Sequence, residues 1–358
     1  MTKHDFFTEL EQALNTHKDD PATQELLKDL SAHFDEAVTV GKSEEEICTM
    51  LGDPSEIAAQ YLVFAAEKDT PIVSAELPEA KAELSVSLRS ACLTLEESHT
   101  DSFTVQVKKW GQITDDPNIK VEHHGFGLRI YQVWAQEFIS RLFQVFELME
   151  VYVQIPKSFS GDYDLRVTSG NITARRLSTA GQMKVEQRSG NVKIEAVAAD
   201  GGMTVHSTSG NINLDDCKGD AEVKVFSGNI KVTGHHGTIS AIGKSGNVNV
   251  QTDRITKTSL IETKSGNLKF EVQTLDAPLR LNCKSGNIKF EVDHVHANIT
   301  GQTISGNIAA TFGADTTAVF QNQFSGFKNE FASAELPPVD LPVISLSTKS
   351  GNVKIRRK

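Results

Sequence analysis

The tripeptide Ser-Gly-Asn recurs through the C-terminal half of the chain and constrains its fold more than any other feature. Successive copies follow at intervals of 18 to 20 residues until a gap before the last copy, where a decayed version, Ser-Gly-Phe, begins at Ser325. The serines of the intact copies are Ser169, Ser189, Ser209, Ser227, Ser245, Ser265, Ser285, Ser305 and Ser350. A regular period of this length is typical of stacked repeats, in which each repeat contacts only its neighbours.

Apolar and polar residues alternate on both sides of each tripeptide. The third and fifth positions after the serine are apolar, as in Val192 and Ile194, and so are the sixth and fourth positions before it, as in Met183 and Val185. A period of two predicts β-strands. Each repeat is therefore expected to form two short strands joined at Ser-Gly-Asn. We expect the repeats to be coils of a flattened β-solenoid, stacked about 4.8 Å apart.

Glycine and asparagine suit the corner between the two strands, because both tolerate positive φ better than other residues. Since every coil repeats the corner, these residues are expected to form a structural ladder along the solenoid axis. The ladder comprises Gly170, Asn171, Gly190, Asn191, Gly210, Asn211, Gly228, Asn229, Gly246, Asn247, Gly266, Asn267, Gly286, Asn287, Gly306 and Asn307.

Residues 1–66 have a different pattern, which predicts four short helices. Apolar residues recur at helical spacing, Pro21 opens the second helix, and Gly41 ends it. Ser43 and Glu46 form a capping box for the third, and Asp53 begins the fourth. Most of the net charge of −11 lies in this region, whereas residues 161–358 are mildly basic. The sequence therefore predicts a small acidic helical bundle.

Four segments of these helices carry a resemblance to a known family. They are Phe-Thr-Glu-Leu-Glu-Gln-Ala-Leu from Phe7, His-Phe-Asp-Glu-Ala from His33, Gly-Lys-Ser-Glu-Glu-Glu-Ile from Gly41 and Leu-Gly-Asp-Pro-Ser-Glu-Ile-Ala from Leu51. Residues 1–66 resemble the HAAS signalling domain of Gram-positive bacteria. The Ser-Gly-Asn repeats are similar to an adhesin-like β-repeat family of bacteria. The combination resembles surface proteins that sense the antibiotic daptomycin, which implies a role in envelope stress.

The predicted fold class is α+β multidomain. Residues 1–66 form the helical domain, 67–80 a linker, 81–160 the start and cap of the solenoid, and 161–358 the repeat solenoid. Residues 130–149 break the β pattern and predict an inserted amphipathic helix. Its apolar face includes Trp134, Phe138, Leu142 and Phe146. Three roles fit that face: covering the solenoid, binding a partner or a second copy, and lying on a membrane surface.

Two basic columns are the strongest functional pattern in the repeats. The position before the serine holds Arg188, Lys244, Lys264, Lys284 and Lys349, and the position four after it holds Lys193, Lys231, Lys269, Lys289 and Lys354. Stacked coils would place like charges about 5 Å apart, where they repel unless they are paired or bind an anion. The alternative is a solvated edge, neutralised by Glu195, Glu271 and Glu291 two residues beyond three of the lysines.

Other chemistries have weaker signals. Glu271 and Glu291 occupy equivalent positions, at a separation near that of a retaining glycosidase pair, but they lie beside lysines with no evident cleft. His236 and His294 lie three coils apart, too far to share a metal ion. The acidic head disfavours nucleic acid. The four cysteines lack paired spacing, so we expect neither a Cys-X-X-Cys metal site nor a disulfide framework. The sequence has no phosphate loop and no dinucleotide-binding motif, and we expect no cofactor.

The sequence thus predicts a non-enzymatic envelope protein, whose solenoid binds an anionic envelope polymer, a lipid or an antimicrobial peptide. The helical domain, and possibly the helix at 130–149 with it, would contact protein partners. A cytoplasmic scaffold whose helical domain modulates a regulator is the alternative. The N-terminus has no apolar region typical of a signal peptide, and no apolar run is long enough to span a bilayer, which favours the cytoplasm, whereas the resemblance implies the cell surface.

Overall fold

The structure is a computed structural model that describes residues 1–14, 21–39, 41–58, 82–109, 112–113, 119–124, 127–132, 149–322, 328–331 and 341–358. The chain divides into two compact units, one containing the N-terminal helices and the other containing the repeats. Each unit is described below by itself.

The N-terminal unit contains helices α1 (Lys3–Ala13), α2 (Pro21–Thr39) and α3 (Glu44–Leu51), and the chain is helical again at 54–58. The predicted capping box is present: the Ser43 hydroxyl accepts from the Glu46 N–H, and the Glu46 carboxylate accepts from the Ser43 N–H. The helices share an apolar core that includes Phe6, Leu30 and Ile47. A complete four-helix bundle stays a prediction, because the described part of the fourth helix ends at residue 58.

The repeat unit consists of two large parallel sheets. Within the described residues the first sheet has 13 strands: β1 (Glu83–Ser90), β5 (Ile119–His124), β6 (Gly127–Gln132), β8 (Asp162–Ser169), β11 (Met183–Ser189), β14 (Met203–Ser209), β16 (Ala221–Ser227), β18 (Ile239–Ser245), β20 (Ser259–Ser265), β22 (Leu279–Ser285), β24 (Ile299–Ser305), β26 (Val319–Asn322) and β28 (Val343–Ser350).

The second sheet has 14 strands in the same part of the chain: β2 (Cys92–Glu97), β3 (Thr104–Lys109), β4 (Gln112–Ile113), β7 (Met149–Ile155), β9 (Ile172–Arg175), β12 (Val192–Glu195), β15 (Ile212–Asp215), β17 (Ile230–Thr233), β19 (Val248–Ile255), β21 (Leu268–Leu275), β23 (Ile288–Val295), β25 (Ile308–Phe312), β27 (Lys328–Asn329) and β29 (Val353–Arg357). The strands that stack from coil to coil pair in parallel, from β1 on β8 to β25 on β29, whereas Lys108 and Ile113 belong to an antiparallel pair between β3 and β4.

This architecture confirms the predicted β-solenoid. One strand of each sheet makes a coil, and equivalent residues of successive coils pair in register, as Val185 does with Val205. The inward residues of the two sheets form one continuous apolar core, in which Val185, Ile194 and Phe290 are fully buried. Because a single coil buries too little apolar surface to offset its ordering entropy, the stacking of coils must supply the stability.

Among the described residues, the early coils have a short third side. Strands β10 (Ser178–Thr179) and β13 (Ala198–Ala199) pair there. Arg176, Ala196 and Asp216, with φ near +50°, turn the chain away from the second sheet. In β19, β21 and β23 the second-sheet strand instead continues for eight residues, so these coils are flatter.

Coils do not stack in sequence order at the two ends of the solenoid. The last coil, β28 and β29, lies directly on β24 and β25, while β26 and β27 lie beyond it. At the other end β1 and β2 lie directly on β8 and β9. The Ser350 coil therefore stacks directly on the Ser305 coil, since the two serines pair.

The predicted helix over 130–149 is wrong at both of its ends. Ile130 lies in β6 and Met149 in β7, and both side chains are buried. The alternation of Leu128 and Ile130 at one end, and of Met149, Val151 and Val153 at the other, explains why these positions join the sheets. Trp134, Phe138, Leu142 and Phe146 lie outside the described residues.

Candidate functional site

The Ser-Gly-Asn corner is held by a continuous ladder of side-chain hydrogen bonds. In each coil the asparagine N–H donates to the Oδ1 of the preceding asparagine, from Asn191 on Asn171 at 2.9 Å to Asn352 on Asn307 at 2.9 Å. At the first coil the Asn171 N–H donates to Cys92 Sγ at 3.4 Å. The ladder fixes the corner, and with it the residues on both sides.

The glycines of the corner have no room for a side chain. Gly266 has φ of +135°, and a Cβ atom there would overlap the backbone carbonyl oxygen of Gly246 in the coil below. An L-residue would meet both the backbone strain and the overlap. The corner therefore has the same compact shape in every coil, which brings the two basic columns to its two sides.

The second-sheet column, formed by Lys193, Lys231, Lys269, Lys289 and Lys354, is interrupted. Asn213 lies between Lys193 and Lys231, Asn249 lies between Lys231 and Lys269, and only Lys269 and Lys289 pair directly. An alanine, Ala309, separates Lys289 from Lys354. Most lysines of this column are therefore two coil steps apart, so their mutual repulsion is weaker than uniform stacking would give.

Carboxylates neutralise much of this second-sheet column. Lys193 Nζ lies 2.6 Å from Glu195 Oε1, and Lys269 Nζ lies 2.7 Å from Glu271 Oε1. Lys289 Nζ lies 3.4 Å from Glu291 Oε1. The hydrogen bond from Lys193 lowers the pKa of the Glu195 carboxyl. Glu271 and Glu291, whose spacing resembles that of a glycosidase pair, thus each form an ion pair with a lysine of the same strand.

The first-sheet column is also basic but has fewer ion-pair partners in the described part of the chain. It consists of Arg188, Lys244, Lys264, Lys284 and Lys349. Lys244, Lys264 and Lys284 lie in three successive coils, since the serines after them pair in register, and all three are exposed. Among the described residues none of these lysines has a carboxylate within ion-pair distance. Lys244 Nζ instead lies 3.8 Å from the ring centroid of Phe226. We call Lys244, Lys264, Lys284 and Lys349 the lysine edge.

Arg188 lies apart from the lysine edge, beside coils whose outer face is rich in ion pairs. In that region Arg166 pairs with Asp164 at 2.7 Å, and Lys184 with Glu186 at 2.8 Å. The charges of these early coils largely cancel. The positive potential of the first sheet is therefore concentrated on the later coils.

A groove of about 520 Å³ runs beside the lysine edge across four coils. Lys264, Lys284 and Lys349 lie along one side of it, and Glu262, Asn282 and Gln302 lie along the other. Its floor consists of Thr263, Cys283, Thr303 and Thr348, of which Thr263 donates to the Gly246 carbonyl at 3.1 Å. An anionic group in this groove can contact the lysine ammonium groups on one side. The amide side chains on the other side can donate hydrogen bonds to it.

Sequence reasoning missed two apolar residues that lie in the same row as the lysine edge. Phe226 and Ile304 occupy the same position before the serine as the lysines, and they are 53% and 45% exposed. Phe226 precedes Lys244, and Ile304 separates Lys284 from Lys349. The repeat position itself was the signal that could have identified them.

Comparison with known protein families explains this architecture. The family model described as Toastrack DUF4097 matches residues 81–356, which include all of the coils. The chain belongs to the Toastrack family. A second family model, HAAS, matches residues 5–60, so a HAAS domain lies at the N-terminus, as its motifs indicated. Comparisons with curated proteins and with solved structures gave no significant match.

Titratable side chains outside the two columns include ion-paired residues and free thiols. Among the described residues no group of three or more His, Cys, Asp or Glu side chains is arranged to hold a metal ion. His296 instead contacts Asp276 at 2.7 Å, and Asp276 also accepts from Arg254. Four cysteines are free thiols. None of the described helices is long and apolar enough to cross a membrane.

Proposed function

We propose that this Toastrack protein is a non-enzymatic regulator of the bacterial cell envelope. Its solenoid binds an anionic envelope component through the lysine edge, and its HAAS domain passes the bound state to a protein partner. The observation that carries the proposal is the contrast between the columns: one has ion-pair partners, and the other presents three successive exposed lysines that have no such partner among the described residues. Charges that repel one another in the free protein favour an anionic ligand.

Both domains support this reading. HAAS and Toastrack modules fit a regulatory or signalling role. By resemblance to daptomycin-sensing surface proteins, the ligand class is an anionic lipid, a wall polymer or an antimicrobial peptide. An anionic ligand matches the charge of the edge, whereas a cationic peptide does not.

The HAAS unit offers a separate surface for the partner. A groove of about 660 Å³ lies between α1 and α2, where Phe7 and Leu27 give an apolar floor and Lys3, Lys28 and Glu44 a charged rim. An apolar floor with a polar rim is typical of protein-binding grooves. It also supports the second candidate function, a cytoplasmic scaffold that modulates a regulator.

Co-sedimentation of the full chain tests the proposal. The purified protein is mixed with cell-wall sacculi, with phosphatidylglycerol vesicles and with phosphatidylcholine vesicles over a salt series. We expect binding to the anionic samples that weakens as salt rises, because surface charges are screened. Absence of binding to every sample would overturn the envelope proposal and favour the scaffold. Loss of partner capture on Leu27→Asp, with sedimentation unchanged, would assign the partner to the HAAS groove.

A further inference from the structure

We propose that the lysine edge is a membrane-docking edge: Phe226 and Ile304 insert into an anionic lipid surface while the lysines contact its headgroups. This inference rests on the proposed function and chooses one ligand among the anionic envelope components. Its basis is that exposed apolar side chains lie within the charged row, a combination that a purely charged polymer does not require.

The row has a regular geometry. Phe226, Lys244, Lys264, Lys284, Ile304 and Lys349 occupy the same position in six stacked coils, since the serine after each residue pairs with the next. At about 4.8 Å per coil, Phe226 and Ile304 are about 19 Å apart. Three lysines lie between them. The three central lysines of the row therefore have an apolar side chain on each side, and Lys349 follows beyond Ile304.

Phe226 and Ile304 are exposed apolar side chains in the same row as the lysines, whereas the exposed Ile113 and Val121 lie on other strands, β4 and β5. Within the described residues only a few large apolar side chains are exposed, and two of them, at 53% and 45%, lie in this single row. Aromatic and aliphatic side chains beside lysines are the combination found at membrane interfaces, where the apolar groups enter the acyl boundary and the cations stay at the headgroups.

The groove beside the row gives the headgroups a place to lie. It follows the row past Lys264, Lys284 and Lys349, and its opposite side is polar and carries one carboxylate, Glu262. Phosphate oxygens that enter it meet the ammonium groups on one side and the amides of Asn282 and Gln302 on the other. Charge complementarity thus favours an anionic lipid over a zwitterionic one.

Removing the two apolar side chains separates this inference from the proposed function. We compare Phe226→Ala/Ile304→Ala with Val121→Ala, which removes a side chain that is 44% exposed on β5 of the same sheet. We expect the double variant to bind phosphatidylglycerol vesicles about tenfold more weakly, since two half-exposed apolar side chains lose their transfer into the bilayer. The control is expected to bind like wild type.

Soluble polyphosphate supplies the second arm, because it offers anionic groups without an apolar phase. The double variant is expected to bind polyphosphate as tightly as wild type. Replacing Lys264, Lys284 and Lys349 by Gln should weaken binding to polyphosphate and to vesicles alike, by about fivefold per lysine at the lipid surface. Equal vesicle binding by wild type and the double variant would overturn membrane docking and leave the anion-binding proposal intact.

A spectroscopic reporter tests insertion directly. In Phe226→Trp the added indole should shift its emission to shorter wavelength with phosphatidylglycerol vesicles and be quenched by brominated acyl chains. Polyphosphate should cause neither change. An unshifted, unquenched emission in vesicle-bound protein would contradict insertion, and failure to bind vesicles, sacculi and polyphosphate would overturn the proposed function as well.

Discussion

The two basic columns come from one repeat and flank one corner, yet they differ in electrostatics. In the second sheet the residue two positions beyond the lysine lies on the same face, and in three coils it is a glutamate that contacts the lysine. In the first sheet the chain enters the Gly-Asn corner directly after the lysine and the serine, so no strand position follows on that face. The corner thus removes one of the two same-face positions from which a carboxylate could reach these lysines, and among the described residues none lies within ion-pair distance of the lysine edge.

The largest effect is expected from breaking the corner that the columns share. Gly266→Ala places a Cβ against the Gly246 carbonyl at φ of +135°, and we expect a loss of about 3 kcal/mol or more in unfolding free energy. Urea unfolding followed by circular dichroism measures it. The neighbouring Ser265→Ala is the control and should change stability by less than about 0.5 kcal/mol. A loss below about 1 kcal/mol for Gly266→Ala would contradict tight stacking at the corner.

A smaller loss is expected from one rung of the asparagine ladder. Asn267→Ala removes the Oδ1 that accepts from the Asn287 N–H at 3.1 Å. Because water can reach the freed N–H, the loss of this hydrogen bond should cost about 0.5–1.5 kcal/mol in the same unfolding assay. Asn352 is the matched control, because its Oδ1 accepts no bond from the described residues. Equal losses for Asn267→Ala and Asn352→Ala would show that the ladder contributes nothing.

Two lysines of the second-sheet column can be deprived of their ion-pair partners. Glu271→Gln/Glu291→Gln removes the partners of Lys269 and Lys289 while keeping the side-chain shape. We expect the variant to bind polyphosphate a few times more tightly at low salt, because two adjacent lysines lose their neutralising charge. Glu45→Gln/Glu56→Gln makes the same change in net charge on the HAAS unit. A similar gain in that control would attribute the effect to net charge alone.

The smallest effect concerns pH. Because Lys193 lowers the pKa of Glu195 below its ordinary 4.5, the folded state binds fewer protons than the unfolded state in acid. The pair's contribution is complete above about pH 4.5 and is lost as pH falls through the lowered pKa. For an exposed pair it should be at most about 1 kcal/mol. Urea unfolding of wild type and Glu195→Gln from pH 7 to pH 3.5 should give converging stabilities in acid, and a constant difference would contradict this linkage.

Much of the fold could be predicted from the sequence because its signals are local and repeated. The alternation around each Ser-Gly-Asn specifies two strands and a corner in every coil, and Ser43 with Glu46 specifies the start of a helix. The end coils could not be predicted in this way. The stacking of Ser350 on Ser305 joins coils that are far apart in the chain, and no local pattern specifies that pairing.

The candidate site was predictable in its positions and less so in its balance of charge. The spacing identified both columns and the glutamates able to neutralise one of them. The repeat position alone placed Arg188 in one column with the four lysines, whereas in the structure Arg188 lies beside the ion-paired early coils. Phe226 and Ile304 were missed, because a search for repeated cations passes over the apolar residues that interrupt them.

One measurement tests the central claim most directly: binding of polyphosphate and sacculi by two variants of equal charge change. The first variant changes the lysine edge and carries Lys264→Gln, Lys284→Gln and Lys349→Gln. The second changes the second-sheet column and carries Lys193→Gln, Lys269→Gln and Lys289→Gln. We predict that the first loses most of the salt-sensitive binding and the second keeps it. Equal losses, or a larger loss in the second variant, would contradict the assignment of function to the lysine edge.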